Sequence, residues 1–215
     1  MISSAFEAVN LSLFEPGATE TAIDQRWGTR VPPSLRGWLR LVNGQRGQRM
    51  RDSALGHFSF YDSVIAFFLP SLRRMSAPNV AATIVGTWRR EVFVSGDGST
   101  ICCGFKLASS WPDFVENLAT KVRNNILQVT FATGLRLFPL LGIPTAETEG
   151  IIVSASPLFV PMQSGGGQYV FTYSIRIRGN PNLKFSARLA SREWRIFKGE
   201  GPVEVVRGPG VVGKG

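Results

Sequence analysis

Residues that hold metals or disulfides are scarce in this chain. Its 215 residues include two cysteines and one histidine. The cysteines, Cys102 and Cys103, are adjacent, and a disulfide between neighbouring residues would strain the peptide that joins them. A metal site would need more ligands than these two thiols and His57 supply. We therefore predict free thiols, one buried and one half-exposed, in a reducing compartment, and no metal or cofactor.

Long hydrophobic runs are also missing. Apolar stretches such as 64–69 are far shorter than the roughly 20 residues that cross a bilayer. The first fifteen residues contain Glu7 and Glu15 but no lysine or arginine, so they lack the basic start of a secretory signal. These absences predict a soluble protein of the cytoplasm or nucleus that has no membrane partner.

Catalytic combinations of residues are sparse. His57 has no nearby G-x-S-x-G serine, and neither cysteine follows an electropositive helix start. Glu147 and Glu149 lie in a proline-bounded stretch, where exposed carboxylates usually only solvate the chain. We therefore predict that the protein is not an enzyme.

Acidic residues are fewer than basic ones. The chain has 24 Lys and Arg against 15 Asp and Glu, a formal net charge of +9, and residues 151–215 hold nine basic and three acidic residues. Such a balance attracts acidic partners. The basic residues form no continuous run, and the aromatic residues are expected on an inward strand face. Nucleic acid is therefore an unlikely partner.

A strict two-residue alternation over 168–178 predicts a half-buried antiparallel strand. One face, expected to point inward, carries Tyr169, Phe171, Tyr173, Ile175 and Ile177. The opposite face carries Arg176 and Arg178, which are candidate contacts for an acidic partner segment. Similar patterns at 151–157, 193–197 and 203–207 predict a β-sandwich or barrel.

The stretch from Gly208 to Gly213 fits the pattern G-x-G-x-x-G. In dinucleotide-binding proteins that pattern opens a helix, but only two residues follow here and Pro209 lacks an amide donor. We predict a turn that reverses the chain between strands. Because basic residues flank it, the loop is also a candidate contact for an anion or a partner protein, through Arg207, Gly208, Gly210 and Gly213.

The first part of the chain predicts helices and strands in an α+β order. Thr19 can cap a helix over 20–27, and proline opens a second helix within 31–44 that Asn43 and Gly44 would end in a left-handed stop. Ser110 can cap a third helix over 111–122. Strands are predicted near 58–61, 82–85, 91–94 and 101–104, with a turn at 96–98. The expected core of this part includes Leu35, Trp38, Leu39 and Val42 on the second helix, together with Trp27 and Trp111.

The string IIVSASPLFVPMQSGGGQYVFTYSIRIR, with ASREWRI and GPVEVVRGPGVVG after it, resembles the first part of an ApaG domain. Its specific part is 206–213, which follows a tryptophan-containing strand. The resemblance implies a fibronectin-like sandwich with no established catalytic activity, and therefore a binding module. A sandwich needs about 100 residues, whereas 151–215 supply 65, so we expect only part of one.

The opening of the chain resembles the SUKH superfamily. The residues that carry this resemblance are Gly17-Ala-Thr, Ile23, Val31-Pro-Pro, Trp38-Leu and Asn43-Gly-Gln45. The predicted organisation is a SUKH-like α+β domain at 1–125, a linker at 126–147, and the N-terminal part of an ApaG-like immunoglobulin- or fibronectin-like β-sandwich at 148–215.

Together the two resemblances point to F-box-only proteins, including a plant Skp-interacting type, that act as substrate receptors of SCF ubiquitin ligases. They imply a non-enzymatic module that binds target proteins for degradation. Only sixteen residues precede Gly17, too few for an F-box, so a Skp adaptor is expected as a partner only if an F-box exists upstream. The alternative hypothesis is a basic β domain that binds nucleic acid or a phosphorylated small ligand.

Overall fold

The computed structural model describes residues 14–46, 53, 55–60, 63–71, 73–85, 90–130, 134–182, 184–197 and 199–210. The chain divides into two compact units. The larger comprises Met1–Thr145 with Ser154–Arg176, and the smaller comprises Ala146–Val153 with Ile177–Gly215. The described residues combine helices with a larger number of strands, which confirms the predicted α+β class.

The elements of the chain follow one another in this order. They are β1 (Phe14–Pro16), α1 (Glu20–Trp27), α2 (Pro33–Leu41), β2 (Val42–Gln45), β3 (His57–Phe60), β4 (Ser63–Phe68), β5 (Val80–Val85), β6 (Arg90–Val94), β7 (Thr100–Cys102), β8 (Phe105–Ala108), α3 (Trp111–Arg123), β9 (Gln128–Thr130), β10 (Gly134–Arg136), β11 (Thr145–Thr148), β12 (Ile151–Phe159), β13 (Phe171–Gly179), β14 (Ser191–Ile196) and β15 (Glu204–Pro209).

Helix α1 begins where the sequence predicts. The Thr19 hydroxyl oxygen accepts a hydrogen bond from the Ala22 amide at 3.2 Å, which satisfies one of the free amides of the first turn. Ile23 is fully buried. On the exposed side, Arg36 of α2 donates to the carboxylate of Asp24 at 2.9 Å, so an ion pair links the two helices.

Helix α2 ends earlier than predicted. Its stripe of Leu35, Trp38 and Leu39 is buried as expected. Gly44 has the predicted left-handed φ, but the prediction that the helix continues to Asn43 and Gly44 is wrong. Val42 is already extended, and Val42–Gln45 forms β2, which pairs with β1. The Gln45 amide also donates to the carbonyl of Leu69, the residue after β4, at 3.0 Å.

The larger unit is built on a mixed sheet with the strand order β8-β7-β6-β5-β4-β3-β10-β9. Strands β3 to β8 pair antiparallel with their neighbours in sequence, while β10 runs parallel to β3. The four strands predicted in this region are confirmed, and β4 and β8 are additional. The predicted turn is also confirmed, since the Gly98 amide donates to the Ser95 carbonyl.

Helix α3 covers the core of this unit. The Ser110 hydroxyl oxygen accepts from the Asp113 amide at 3.1 Å, as the sequence predicts. Trp111 is fully buried and meets Trp38 edge-to-face at 5.9 Å between ring centroids. Trp27 is partly buried against the same core, so the predicted role of the three tryptophans in packing is confirmed.

Strands β12 and β13 expose the face that was expected to be buried. The Val160 amide donates to the Val170 carbonyl, and the Asn180 amide donates to the Gly150 carbonyl. The two hydrogen bonds are the same number of residues apart on each strand, and the residue numbers rise on one strand as they fall on the other. The strands therefore pair antiparallel in one regular register. Ser156 and Val160 are fully buried, and Val170 packs on the core of the larger unit. The even-numbered face therefore points inward, and the odd-numbered aromatic face is solvent-exposed.

The prediction of two distinct strand faces is confirmed, but the prediction that the aromatic face points inward is wrong. The even-numbered face packs instead, against residues that are distant in sequence.

The smaller unit contains the hairpin of β14 and β15. These strands pair antiparallel from Ser191↔Pro209 to Ile196↔Glu204. Gly208 and Pro209 therefore lie within a strand and not in the predicted turn, whose remaining residues after Gly210 lie outside the described ranges. Proline is compatible with a strand end that needs no donor from that residue.

The predicted domain boundaries, with a first domain at 1–125 and a second at 148–215, stay a prediction. Within the predicted linker at 126–147, the structure places β9 and β10, which belong to the mixed sheet. Tyr169, Phe171 and Tyr173 lie in the larger unit, and the segment 208–210 with its two glycines lies in the smaller unit.

Candidate protein-binding surface

A cluster of aromatic side chains lies at the surface of the larger unit. We call it the aromatic face, and it consists of Phe105, Phe159, Tyr169, Phe171 and Tyr173. Tyr169, Phe171 and Tyr173 are 68%, 60% and 59% exposed. Large apolar surfaces of this kind on a protein typically mark interaction sites.

The strand register brings the aromatic rings together. Phe159 of β12 lies directly opposite Phe171 of β13, and their ring centroids are 5.5 Å apart. Phe105, at the start of β8, meets Phe159 at 5.2 Å edge-to-face and Tyr169 at 5.8 Å. These separations fall in the range of favourable aromatic contacts, so the cluster is an ordered surface.

A tight glycine turn positions Tyr169. Gly165 and Gln168 exchange backbone hydrogen bonds across Gly166 and Gly167, both of which have positive φ angles. The Ser164 hydroxyl donates to the Val160 carbonyl at 3.0 Å and accepts from the Val170 amide at 2.8 Å. This turn returns the chain from β12 to β13 and places Tyr169 beside Phe159.

The aromatic face lies next to an edge strand. Strand β13 is at the end of the order β11-β12-β13. Its even-numbered residues form the hydrogen-bonded pairs with β12, so the amide and carbonyl groups of Phe171 and Ile175 point away from β12. An edge with this geometry can accept a further strand from a partner.

The sequence indicated only part of this surface. It singled out Tyr169, Phe171 and Tyr173, although for the inner face, but it did not select Phe105 or Phe159. Phe159 lies at an odd-numbered position of β12. Extending the two-residue alternation along that strand would have placed it on the same face. Phe105 comes from a strand more than 50 residues earlier, and no local pattern connects it with the others.

The Arg176 side chain connects β13 to the segment after β10 within the larger unit. Its guanidinium donates to the Pro139 carbonyl at 2.8 Å and to the Phe138 carbonyl at 3.4 Å. Burial, and to a smaller extent the neighbouring Arg136, lowers the pKa of Arg176. The prediction that this residue points outward is wrong, because its even-numbered strand face is the packed one.

The other candidate contacts lie in the smaller unit, where Arg178 is exposed. Arg207 donates to Glu193 at 2.7 Å, and Arg195 donates to the same carboxylate at 2.7 Å. These two arginines, Arg195 first, lower the pKa of Glu193. Arg207 therefore already has a carboxylate partner.

Of the three glycines of the predicted loop, the structure describes Gly208 and Gly210. The Gly210 amide donates to the Ala190 carbonyl at 2.9 Å, and a Cβ at Gly210 would lie 1.9 Å from the Leu189 carbonyl oxygen. This close approach of two backbones requires glycine. A Cβ at Gly208 would meet only ordinary contacts with Arg192. Gly213 lies outside the described residues.

The thiols are free, as predicted. Their sulfur atoms are 3.7 Å apart. Cys102 is buried, and burial, followed by the effect of Cys103, raises the pKa of its thiol to about 12. Cys103 is exposed. It lies with Gly104 in the two-residue turn between β7 and β8 at positive φ, and this turn geometry turns its side chain toward solvent.

The remaining candidates for chemistry are dispersed. Burial first, and then Arg136, lowers the pKa of His57. Glu147 accepts a hydrogen bond from the Asn180 side chain at 2.8 Å. Within the described ranges no group of three or more His, Cys, Asp or Glu residues could hold a metal ion. None of the helices in the same ranges is long and apolar enough to cross a membrane.

Comparison with known proteins finds a similarity in the last quarter of the chain. Residues 161–215 match the family model of the ApaG domain. The chain is 45% identical over 71 residues to Protein ApaG of Methylorubrum extorquens (strain PA1), covering 32% of this chain and 53% of that protein. It is 49% identical over 65 residues to Protein ApaG of Azotobacter vinelandii, covering 29% of this chain and 50% of that protein. The chain thus spans about half the length of these curated relatives, and no solved structure matches it.

Proposed function

We propose that this ApaG-domain protein is a non-enzymatic protein-interaction module. The observation that supports the proposal most is the exposed aromatic face, because ordered aromatic side chains beside an edge strand offer both apolar anchors and backbone hydrogen bonds to a partner.

In the finer form of this proposal, the chain is the substrate-recognition region of an F-box-type receptor in SCF ubiquitin-dependent degradation. The support is the resemblance of an α+β part followed by an ApaG domain to such receptors. On this proposal the partner is a target protein in the cytoplasm or nucleus, and a Skp adaptor binds only through an F-box outside this sequence.

Site-specific photo-crosslinking tests the proposal. A photoreactive phenylalanine analogue in place of Phe171 should crosslink to one defined target in cell extract, and the Tyr173→Lys substitution should abolish the product. The same analogue in place of Leu141, which is 55% exposed but outside the aromatic face, is the matched control. Equal crosslinking from both positions would count against a specific surface.

A second candidate function is binding of nucleic acid or a phosphorylated ligand. The sequence argued against it partly because the aromatic residues were expected to point inward, and that reason no longer holds. Exposed rings can stack on bases, and the net charge of +9 attracts phosphates. A labelled single-stranded oligonucleotide distinguishes the two functions, because its affinity should fall steeply with salt whereas apolar protein recognition should not.

A further inference from the structure

The turn between β7 and β8 brings the two thiols of the chain together. In an extended strand, neighbouring side chains point to opposite faces. Here Cys102 pairs with Phe105 across the hairpin, and Cys103 and Gly104 form a turn with φ angles of 50° and 84°. The Sγ atoms of Cys102 and Cys103 are consequently only 3.7 Å apart. Cys102 is buried and Cys103 is exposed, so a solute reaches the pair through Cys103.

This geometry fits a bridge through one atom better than it fits a disulfide. A disulfide would need the sulfur atoms to approach from 3.7 Å to about 2.05 Å. Disulfides usually join Cα atoms that are about 4.4–6.8 Å apart, whereas the Cα atoms of neighbouring residues are about 3.8 Å apart. A single atom bonded to both sulfurs would leave them near their present separation and would strain the peptide less.

The sulfur separation restricts the geometry of the bridging atom. Two metal–sulfur bonds of about 2.3 Å place the sulfurs about 3.8 Å apart at a tetrahedral angle, but about 4.6 Å apart in line. The observed separation of 3.7 Å matches the first arrangement. The pair therefore suits a centre whose bonds meet at an angle, and a linear Cu(I) or Hg(II) ion fits poorly.

The supply of other ligands narrows the choice further. Structural zinc takes four protein ligands, and no cluster of three or more His, Cys, Asp or Glu residues occurs in the part of the chain that the structure describes. The positive charge of Arg90 acts on Cys102, which disfavours a bare dication. Trivalent arsenic meets these conditions, because it bonds two thiolates and one further group at an angle and enters as neutral arsenous acid.

We propose that Cys102 and Cys103 form a bidentate site for trivalent arsenic and its organic derivatives. The Cys103 thiol displaces one hydroxide of arsenous acid: an As–S bond forms, an As–O bond breaks, and the thiol proton leaves with the hydroxide as water. The Cys102 thiol, 3.7 Å away, displaces a second hydroxide in the same way. Arsenic stays trivalent, so the reaction needs no oxidant or reductant.

The two thiols have different roles in this site. Burial, followed by the effect of Cys103, raises the pKa of the Cys102 thiol to about 12, so this thiol is protonated and slow toward alkylating reagents. It needs no free thiolate here, because the leaving hydroxide takes its proton and Cys103 already holds the arsenic beside it. The exposed thiol captures the arsenic, and the buried thiol closes the ring.

Phenylarsine oxide is the probe that tests the proposal. The full chain is mixed with one equivalent and measured by intact mass spectrometry, with the untreated chain as reference. We expect one phenylarsenic group per chain and loss of one water, since the oxide oxygen takes both thiol protons. The adduct should survive excess β-mercaptoethanol, because the second As–S bond is intramolecular, and dimercaptopropanol, a dithiol, should remove it.

Substitutions identify both ligands. Cys103→Ser and Cys102→Ala should each weaken retention of the probe at least ~100-fold, because only one As–S bond then remains. Cys103→Asn should also lose the probe but raise the unfolding temperature by about 1–3 °C, because asparagine suits a turn with positive φ. Circular dichroism checks the fold of each variant. Because Cys103 is exposed, its two variants decide the test even if Cys102→Ala unfolds.

Arsenic X-ray absorption of the chain treated with arsenite reports the bonds directly. We expect two sulfur neighbours and one oxygen neighbour around arsenic. One sulfur neighbour, or an adduct that β-mercaptoethanol removes, would show attachment to Cys103 alone and refute the proposal. A disulfide in place of the adduct, or a probe retained equally by Cys103→Ser, would refute it as well. These results do not depend on crosslinking through Phe171, so the protein-binding function is tested independently.

Discussion

Two glycines near the start of the chain show how a single Cβ affects local structure. Gly44 has a φ of +85°, and a Cβ there would lie 2.4 Å from the Ser71 amide nitrogen. Gly37 lies inside α2, where a Cβ would have nothing within 4 Å. The first position requires glycine for both conformation and space, whereas the second does not.

The substitutions Gly44→Ala and Gly37→Ala should therefore have opposite effects. Gly44→Ala should lower the free energy of unfolding by about 2–4 kcal/mol, from unfavourable φ and a backbone clash. Gly37→Ala should raise it by about 0.5–1 kcal/mol, because alanine favours a helix. Urea unfolding of both variants measures the difference. Equal stability of the two variants would contradict the strained conformation at Gly44.

The two thiols should differ in reactivity. Cys103 is exposed, whereas burial first, and then Cys103, raises the pKa of the Cys102 thiol to about 12. Since the thiolate is the reactive form, we expect one thiol to be modified in the native protein and two after unfolding in urea. Intact mass spectrometry after alkylation counts them, and Cys103→Ser should leave no reactive thiol in the native state. Two fast native thiols would show that Cys102 is accessible.

His57 should make stability depend on pH. Its folded-state pKa lies below the ordinary histidine value of 6.5, mainly because of burial and then because of Arg136. The folded state thus disfavours the protonated form, so this contribution is fully present above about pH 6.5 and is lost as pH falls through the lowered pKa. The urea midpoint should decrease less between about pH 8 and about pH 5 in His57→Gln than in the wild type. Parallel pH profiles would exclude this role for His57.

At the scale of elements, helix α3 depends on its first turn. The Ser110 cap binds the Asp113 amide, and the helix then places Trp111 in the core. Pro112 in the first turn needs no amide partner and favours the helix start. The cap and the buried tryptophan are adjacent, so a local signal and the core specify the same boundary.

The substitution Ser110→Ala should destabilise the protein by about 1 kcal/mol, the usual cost of losing an N-cap. Ser110→Asp retains a cap acceptor and should be close to wild type. Thermal and urea unfolding measure the effect, and the matched substitution Thr19→Ala tests whether the cap of α1 contributes similarly. An unchanged stability in Ser110→Ala would mean that core packing alone fixes the helix start.

The helices were predictable because their signals are local. Thr19, Ser110 and the stripe around Trp38 lie within the helices that they specify or directly before them, and the structure confirms all three. The end of α2 was not predictable, because the pairing of β2 with β1 and the approach of Ser71 to Gly44 are tertiary contacts. Tertiary context overrides local propensity at such points.

The candidate site was predictable only in part. Alternation over 168–178 identified two strand faces, but it could not show which face would meet the core of the larger unit. Arg176 is hydrogen-bonded to two backbone carbonyls on the packed face, which no pattern within β13 indicates. Phe105 joins the aromatic face through ring contacts with Phe159 and Tyr169, which are tertiary contacts that no pattern within β8 indicates.

At the scale of the whole molecule, the chain combines a net charge of +9 with exposed aromatic side chains. The two features predict different ligands. Charge attracts anions in a way that salt screens, with a Debye length near 10 Å at about 0.1 M salt. Apolar contact depends on surface removed from water and is much less sensitive to salt. A neutral hydrophobic probe therefore reports on the aromatic face without interference from the charge.

We expect the neutral dye Nile red to bind the chain with increased emission, and about 0.5 M salt should leave the signal unchanged because screening does not affect apolar burial. Tyr169→Lys with Phe171→Lys should remove most of the emission, since these two residues are the most exposed members of the aromatic face. Leu141→Lys changes charge and exposed apolar area elsewhere and should have little effect. If the dye signal fell equally in both variants, the aromatic face would not be the main apolar surface, and the protein-binding function proposed for it would lose its support.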